Sequence, residues 1–191
     1  MRDFACSCEH GRGLDRRTTL RLFACAAVGA SPLATPRARA RATLEAPRAE
    51  DEKYMRLALA EAAKGDFPFG AVIVRDGAVL ATGRNLGRTN NDPTAHGEMV
   101  AIRRFAAERP AAQLAGTTIY TTGEPCPMCM GAIVWSGLTR VVYGASIEEL
   151  SKKLGQIMLP SRAVADAAPF ADVAITGGVL AREALALFRW D

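Results

Sequence analysis

The sequence predicts an α/β fold, a five-stranded mixed sheet with helices on both faces in three αβα layers. Three observations predict it. A strong hairpin signal, "GAVIVRDGAVLATG", sets two β runs around Asp76-Gly77. After it, strand-like runs alternate with helix-like ones in the order αββαβαβαβα, and that alternation calls for crossover helices over a sheet. The 191 residues, 49% of them apolar, suit one domain with its own core.

Each element follows from its own signal. From Glu50 to Lys64, Tyr54, Met55, Ala58 and Ala62 recur at helical spacing, and Gly65 fits a helix stop. The hairpin supplies two strands. A polar loop runs to Asp92; Pro93 fits a first helical position, and the helix is expected to end at Glu108, before Arg109-Pro110. "TTIYTT" (117–122) reads as a strand, Pro127 starts a helix ending near Gly137, and "TRVVYG" (139–144) is the next strand. A short helix is expected over 147–154, a loop over 160–171, a fifth strand over 172–176 and a last helix from Val179 to Arg189.

The first forty residues read differently. Arg16-Arg17 precede the apolar run Leu22 to Ala34, and Ala38-Arg39-Ala40 has the small-residue pattern of a cleavage site. This is the layout of a signal peptide, and the paired arginines resemble a twin-arginine export signal. The expected organisation is a signal over 1–40, a linker over 41–49 and a domain over 50–191, with the mature chain in the periplasm. The removed segment holds seven of the 24 basic and three of the 20 acidic residues, leaving seventeen of each. A formally neutral domain lacks the positive surplus of a phosphate-backbone binder. No apolar run reaches the ~18 residues of a membrane span.

Cleavage after Ala40 leaves two cysteines, Cys126 and Cys129, and one histidine, His96. In "EPCPMC", Cys126 precedes a proline and is kept out of the α region, so it suits an N-cap, with Pro127 at N1 and Cys129 at N3. There the backbone N–H groups and the helix dipole favour thiolate. A disulfide, a redox pair and a metal site all use such cysteines. A structural zinc site closes with four Cys or His ligands, but this chain offers three and leaves a fourth position open, as catalytic sites do. The surroundings of His96 select among these readings. His96-x-Glu98 followed by Pro125-Cys126-x-x-Cys129 has the order and residue types of the zinc-dependent base deaminases.

From about Pro68 to Gly144 the chain resembles the cytidine deaminase superfamily in its purine-deaminase branch. "PFGAVIVRDG", "NDPTAHGE", "AIR" and "EPCPMCMGAI" carry the likeness. It is similar to bacterial guanine deaminases and shares motifs with transfer RNA adenosine deaminases. The resemblance implies a cytidine-deaminase-like fold, a homodimer, and a Zn2+ held by His96, Cys126 and Cys129. It implies Glu98 as the proton-shuttling catalytic residue and Asn85 as the base contact, with Phe69 and Trp135 as pocket walls. It also implies a free nucleobase as substrate, guanine first, with nucleic acid disfavoured by the neutral, exported domain. Two features depart from the family: Gly97 stands where Ala is usual, and residues 145–175 lack the acidic residues that guanine enzymes place at the pocket. In guanine deaminases the C-terminal tail can close a neighbouring subunit's site, a part Trp190 could take here.

Overall fold

Six strands form one mixed sheet in the computed structural model, which describes residues 42–188. The expected signal segment, with Arg16-Arg17 and the Ala40 cut, and the tail residue Trp190 lie outside the described residues. In chain order the elements are β1 (Thr43–Leu44), α1 (Asp51–Ala62), β2 (Gly70–Arg75), β3 (Ala78–Arg84) and α2 (Gly97–Glu108). Then come β4 (Thr118–Gly123), α3 (Pro127–Trp135), β5 (Arg140–Ala145), α4 (Ile147–Ser151), α5 (Ser161–Asp166), β6 (Ala174–Thr176) and α6 (Ala181–Ala186).

The strand order is β1-β6-β5-β4-β2-β3. β1, β6, β5 and β4 run parallel, and β2 and β3 are antiparallel additions at the other edge. The sixth strand is β1, which pairs Thr43 and Leu44 with Ala174 and Ile175 inside the segment expected to be a linker. Two residues carry no readable periodicity, so only pairing with β6 reveals them. The Asp76-Gly77 turn has both residues at positive φ (49° and 79°), as a two-residue hairpin of primed type requires.

Strand alternation builds two cores. Ala71, Ile73, Ile119 and Val141 point into one, where Phe105 and Ile133 meet them from α2 and α3. Val72, Val74, Tyr120 and Val142 point to the other face, against Tyr54, Met55 and Ala58 of α1. The sheet is therefore sandwiched, as the alternation of elements implies. Among the described residues no helix is long and apolar enough to cross a membrane.

Three boundaries differ from expectation for local reasons. α2 begins at Gly97 and not at Pro93, because the Asp92 carboxylate accepts from Thr94 N–H (2.8 Å) and Oγ (2.6 Å) and folds 92–94 into a turn. Residues 161–166, expected as loop, form α5, a helix too short to show a period. The last helix starts at Ala181, because Leu180 sits in the left-handed region at φ 53°.

Candidate active site

His96 and Cys126 are both helix N-caps. His96 has φ −66° and ψ 159° ahead of α2, and Cys126 has φ −61° and ψ 166° ahead of α3. Pro127 occupies the first turn of α3, where its missing N–H costs nothing. Cys129 lies one turn in and is fully buried. β4 delivers α3 to this place, since Glu124 and Pro125 alone separate its last residue from Cys126. The hairpin carries α2 alongside.

His96 Nδ1 lies 3.7 Å from Cys126 Sγ and 3.6 Å from Cys129 Sγ. All three ligand atoms fall within 4.8 Å of one another. Zn–S bonds of ~2.3 Å and Zn–N bonds of ~2.0–2.1 Å in a tetrahedron place N and S about 3.6 Å apart. The three residues thus fit zinc as they stand, two sulfurs and one imidazole with one corner free. Both cysteines are free thiols in this arrangement and not joined as a disulfide.

The charges in the site support each other. The thiol of Cys126 is pulled down to about 4, first by the hydrogen bond from Cys129 and then, against burial, by His96. Cys129 is pushed up, because it is the donor of that pair and is buried. A bound cation releases the second proton and holds both as thiolates. The His96 imidazole is raised mainly by its Cys126 partner. Burial pushes the Glu98 carboxyl up; the side chain is 6% exposed in the first turn of α2. His96 precedes α2 and Glu98 lies within its first turn, so they meet at the helix end, as their two-residue spacing demands.

A cleft of about 430 Å³ opens beside these groups, within the range of small-molecule pockets. His96, Glu98 and Cys126 line it, together with Phe69 and Asn85. The rings of Phe69 and His96 are nearly parallel, 6° between planes, with centroids 6.5 Å apart. Asn85 is buried, and its Oδ1 accepts from Gly87 N–H at 3.1 Å. That bond orients the amide and leaves its NH2 as the free donor. Trp135 does not line this cleft. It ends α3, 80% exposed, with its ring 4.9 Å from Phe170. The ligands sit at the other end of that nine-residue helix, roughly 12 Å away at 1.5 Å per residue. Sequence reasoning missed the wall formed by Leu154, Gly155, Gln156 and Ile157. That stretch has neither motif nor period, and nothing local in it points to the cleft.

Residues 48–145 match the family described as the cytidine and deoxycytidylate deaminase zinc-binding region. Guanine deaminase of Bacillus subtilis is 54% identical over 78 residues, 41% of this chain and 50% of that protein. The tRNA-specific adenosine deaminase of Haemophilus influenzae is 41% identical over 138 residues, 70% of this chain and 78% of the relative. The solved guanine deaminase of Nitrosomonas europaea superposes with a TM-score of 0.62 at 26% identity, covering 77% of this chain and 85% of the other. The chain thus spans about half the length of the Bacillus relative it matches.

Proposed function

We propose a substrate from one premise: this chain belongs to the cytidine and deoxycytidylate deaminase family and is a zinc-binding deaminase that hydrolyses a C–N bond. The substrate is a free nucleobase, guanine first, converted with water to xanthine and ammonia. The observation that carries this reading is the composition of one small cleft. His96, Cys126 and Glu98 border the same 430 Å³ as Phe69 and Asn85, and Cys129 is buried within 4.8 Å of the other two metal-fitting atoms.

His96, Cys126 and Cys129 would hold zinc, which when bound would supply Lewis acidity that lowers the pKa of water toward ~7. Glu98 receives the two protons that water gives up, one at a time. It passes the first to the ring nitrogen as the C–O bond forms and the second to the amine as the C–N bond breaks, so that ammonia leaves neutral. Burial suits Glu98 to this exchange by making its carboxylate a stronger base. Asn85 offers its NH2 to an acceptor on the base edge, and the Phe69 and His96 rings present flat faces to a flat substrate. The twin-arginine-like start supports a periplasmic chain, which would meet free bases and not tRNA. The exposed pair Trp135 and Phe170 supports a homodimer.

A second reading, deamination of adenosine in tRNA, is favoured by the longer match to the Haemophilus protein. The test is ammonia release by the zinc-loaded full chain with guanine, adenine, cytosine, their nucleosides, a triazine and tRNA. Glu98→Ala is the blank. Turnover of guanine is the expected result, with the variant silent but still zinc-bound. Turnover of tRNA alone would install the second reading.

A further inference from the structure

Glu124 sits two residues before a metal ligand, yet nothing in the chemistry above uses it. Its side chain is almost fully buried. One carboxylate oxygen accepts from Ile147 N–H at 2.9 Å. The other accepts from Ser161 N–H and from Ser161 Oγ, both at 2.8 Å. These two partners are fourteen positions apart, the first residues of α4 and α5. A single carboxylate therefore ties the two ends of one segment together.

That segment is the stretch that sequence motifs leave unexplained, and it reaches the cleft. Leu154, Gly155, Gln156 and Ile157 line the cleft from it. The wall has little else to hold it. Between Gly155 and Leu159 the described backbone hydrogen bonds reduce to Leu159 N–H on the Ile157 carbonyl, at 2.7 Å. Ile157, Met158 and Leu159 are 65%, 59% and 43% exposed. Met158 and Pro160, which follow the wall, line a second cavity of about 460 Å³ together with Glu124 and Ser161. Leu154 is the wall's one side chain packed on the cluster of Leu150, Ala184 and Phe188.

The anchor itself is rigid. Glu124 N–H donates to Ala145 O at 2.7 Å, continuing the pairing of β4 with β5. From that fixed point the chain passes through Pro125 directly to Cys126. The wall and the metal centre are thereby referenced to the same three residues.

We propose that Glu124 is a positioning residue: its carboxylate clamps both ends of the 147–161 segment and sets the distance between the cleft wall at 154–157 and the metal centre. This rests on the deaminase reading of the cleft. Glu124 borders the cleft, but its two carboxylate oxygens are taken up by Ile147 and Ser161. Its effect falls on how the substrate is held, and through Gln156, the wall's one polar side chain among those four, on which substrate is held. A neutral amide at this edge of the cleft takes the place of the acidic residues expected of guanine enzymes.

Lys152 and Lys153 are exposed immediately before the wall and give a readout that needs no substrate. In the zinc-loaded full chain, Glu124→Gln converts one acceptor oxygen into a donor facing a backbone N–H, and one end of the segment loses its tie. Tryptic cleavage after Lys152 and Lys153 is expected to quicken by about tenfold, the scale of a lost hydrogen bond to a charged group. The KM for the base that is turned over should rise by about tenfold, with a smaller change in kcat and with zinc content unchanged. Ser161→Ala removes only the Oγ bond and should give about a threefold effect on both readouts. It decides the matter alone if Glu124→Gln does not fold. Unchanged cleavage and unchanged KM in a folded, zinc-replete variant overturn the proposal, as does lowered thermal stability with KM unmoved. If no base in the panel is turned over, the substrate reading fails while the cleavage rates still judge the clamp.

Discussion

His96 and Cys126 do the same job at two different helix starts. An N-cap has extended backbone, so its side chain leaves the helix axis and can face a neighbouring N-cap. Both helices also present their positive ends to the site, which favours the Cys126 thiolate before any metal arrives. Such a centre is local in its causes. Pro127 after Cys126 and the two-residue gap from His96 to Glu98 were enough to place these residues from sequence. Trp135 was not placeable that way, because its role depends on how far α3 carries it from the cleft. Removing the metal should expose this logic. With zinc bound, Cys126 and Cys129 should be inert to a thiol reagent and the chain active. After chelation both should react, activity should vanish, and a single equivalent of zinc should restore it. Thiols that react equally with and without zinc, counted by reagent uptake, would show that the cysteines do not hold it.

The placement of the two helices on the sheet depends on very small residues. A Cβ on Gly83 would fall onto the carbonyl oxygen of Gly97 and lie 2.5 Å from Ala101 N, both in α2. A Cβ on Gly97 would lie 2.8 Å from the carbonyl oxygen of Phe69. The start of α2, which carries Glu98 and follows His96, is thus pressed against the base of the hairpin. This accounts for Gly97 at a position where Ala is usual in the family. Gly83→Ala must push α2 outward and should cost about 2–3 kcal/mol, as overpacking does. Because the displaced end bears a ligand, zinc should also be held less tightly. Urea denaturation and a competition assay with a metal chelator would measure the two losses, and a variant with neither would contradict the close approach. Element types were readable wherever a period or a turn signal existed: α1, the hairpin, β4, α3 and β5. They failed at α5 and β1, which are short, and at the start of α2. There the Asp92 side chain competes with the helix for Thr94 N–H, and a proline rule cannot see that.

On the scale of the whole molecule, the metal site and a buried ion-pair network occupy opposite ends of the sheet. The parallel strands deliver the metal site beyond their C-terminal ends, whereas Arg140, the first residue of β5, anchors the other end. Its guanidinium meets the Asp51 carboxylate twice, at 2.7 and 2.8 Å, and Thr176 Oγ at 2.9 Å. Tyr120 donates its hydroxyl to the same carboxylate at 3.0 Å. One buried network therefore joins α1, β4, β5 and β6. Burial alone would push the Asp51 carboxyl up. Arg140, with the Arg48 N–H and Tyr120, outweighs it and leaves the group below its ordinary value. A carboxylate lowered in the folded state contributes stability that is complete above its unfolded pKa of ~3.9 and fades as pH falls through the folded pKa. Asp51→Asn leaves Arg140 buried with only Glu45, 3.5 Å from its Nε and about a third exposed, as counter-charge, and should cost about 3 kcal/mol at neutral pH. The gap between the two proteins should hold from pH 7 down to about 5 and close only below about 4, as the pH falls from the unfolded pKa of Asp51 through its lower folded one. Denaturation midpoints of both proteins across that range test it. A gap that stayed constant into acid would mean that packing around α1, and not the ion pair, holds this end of the sheet.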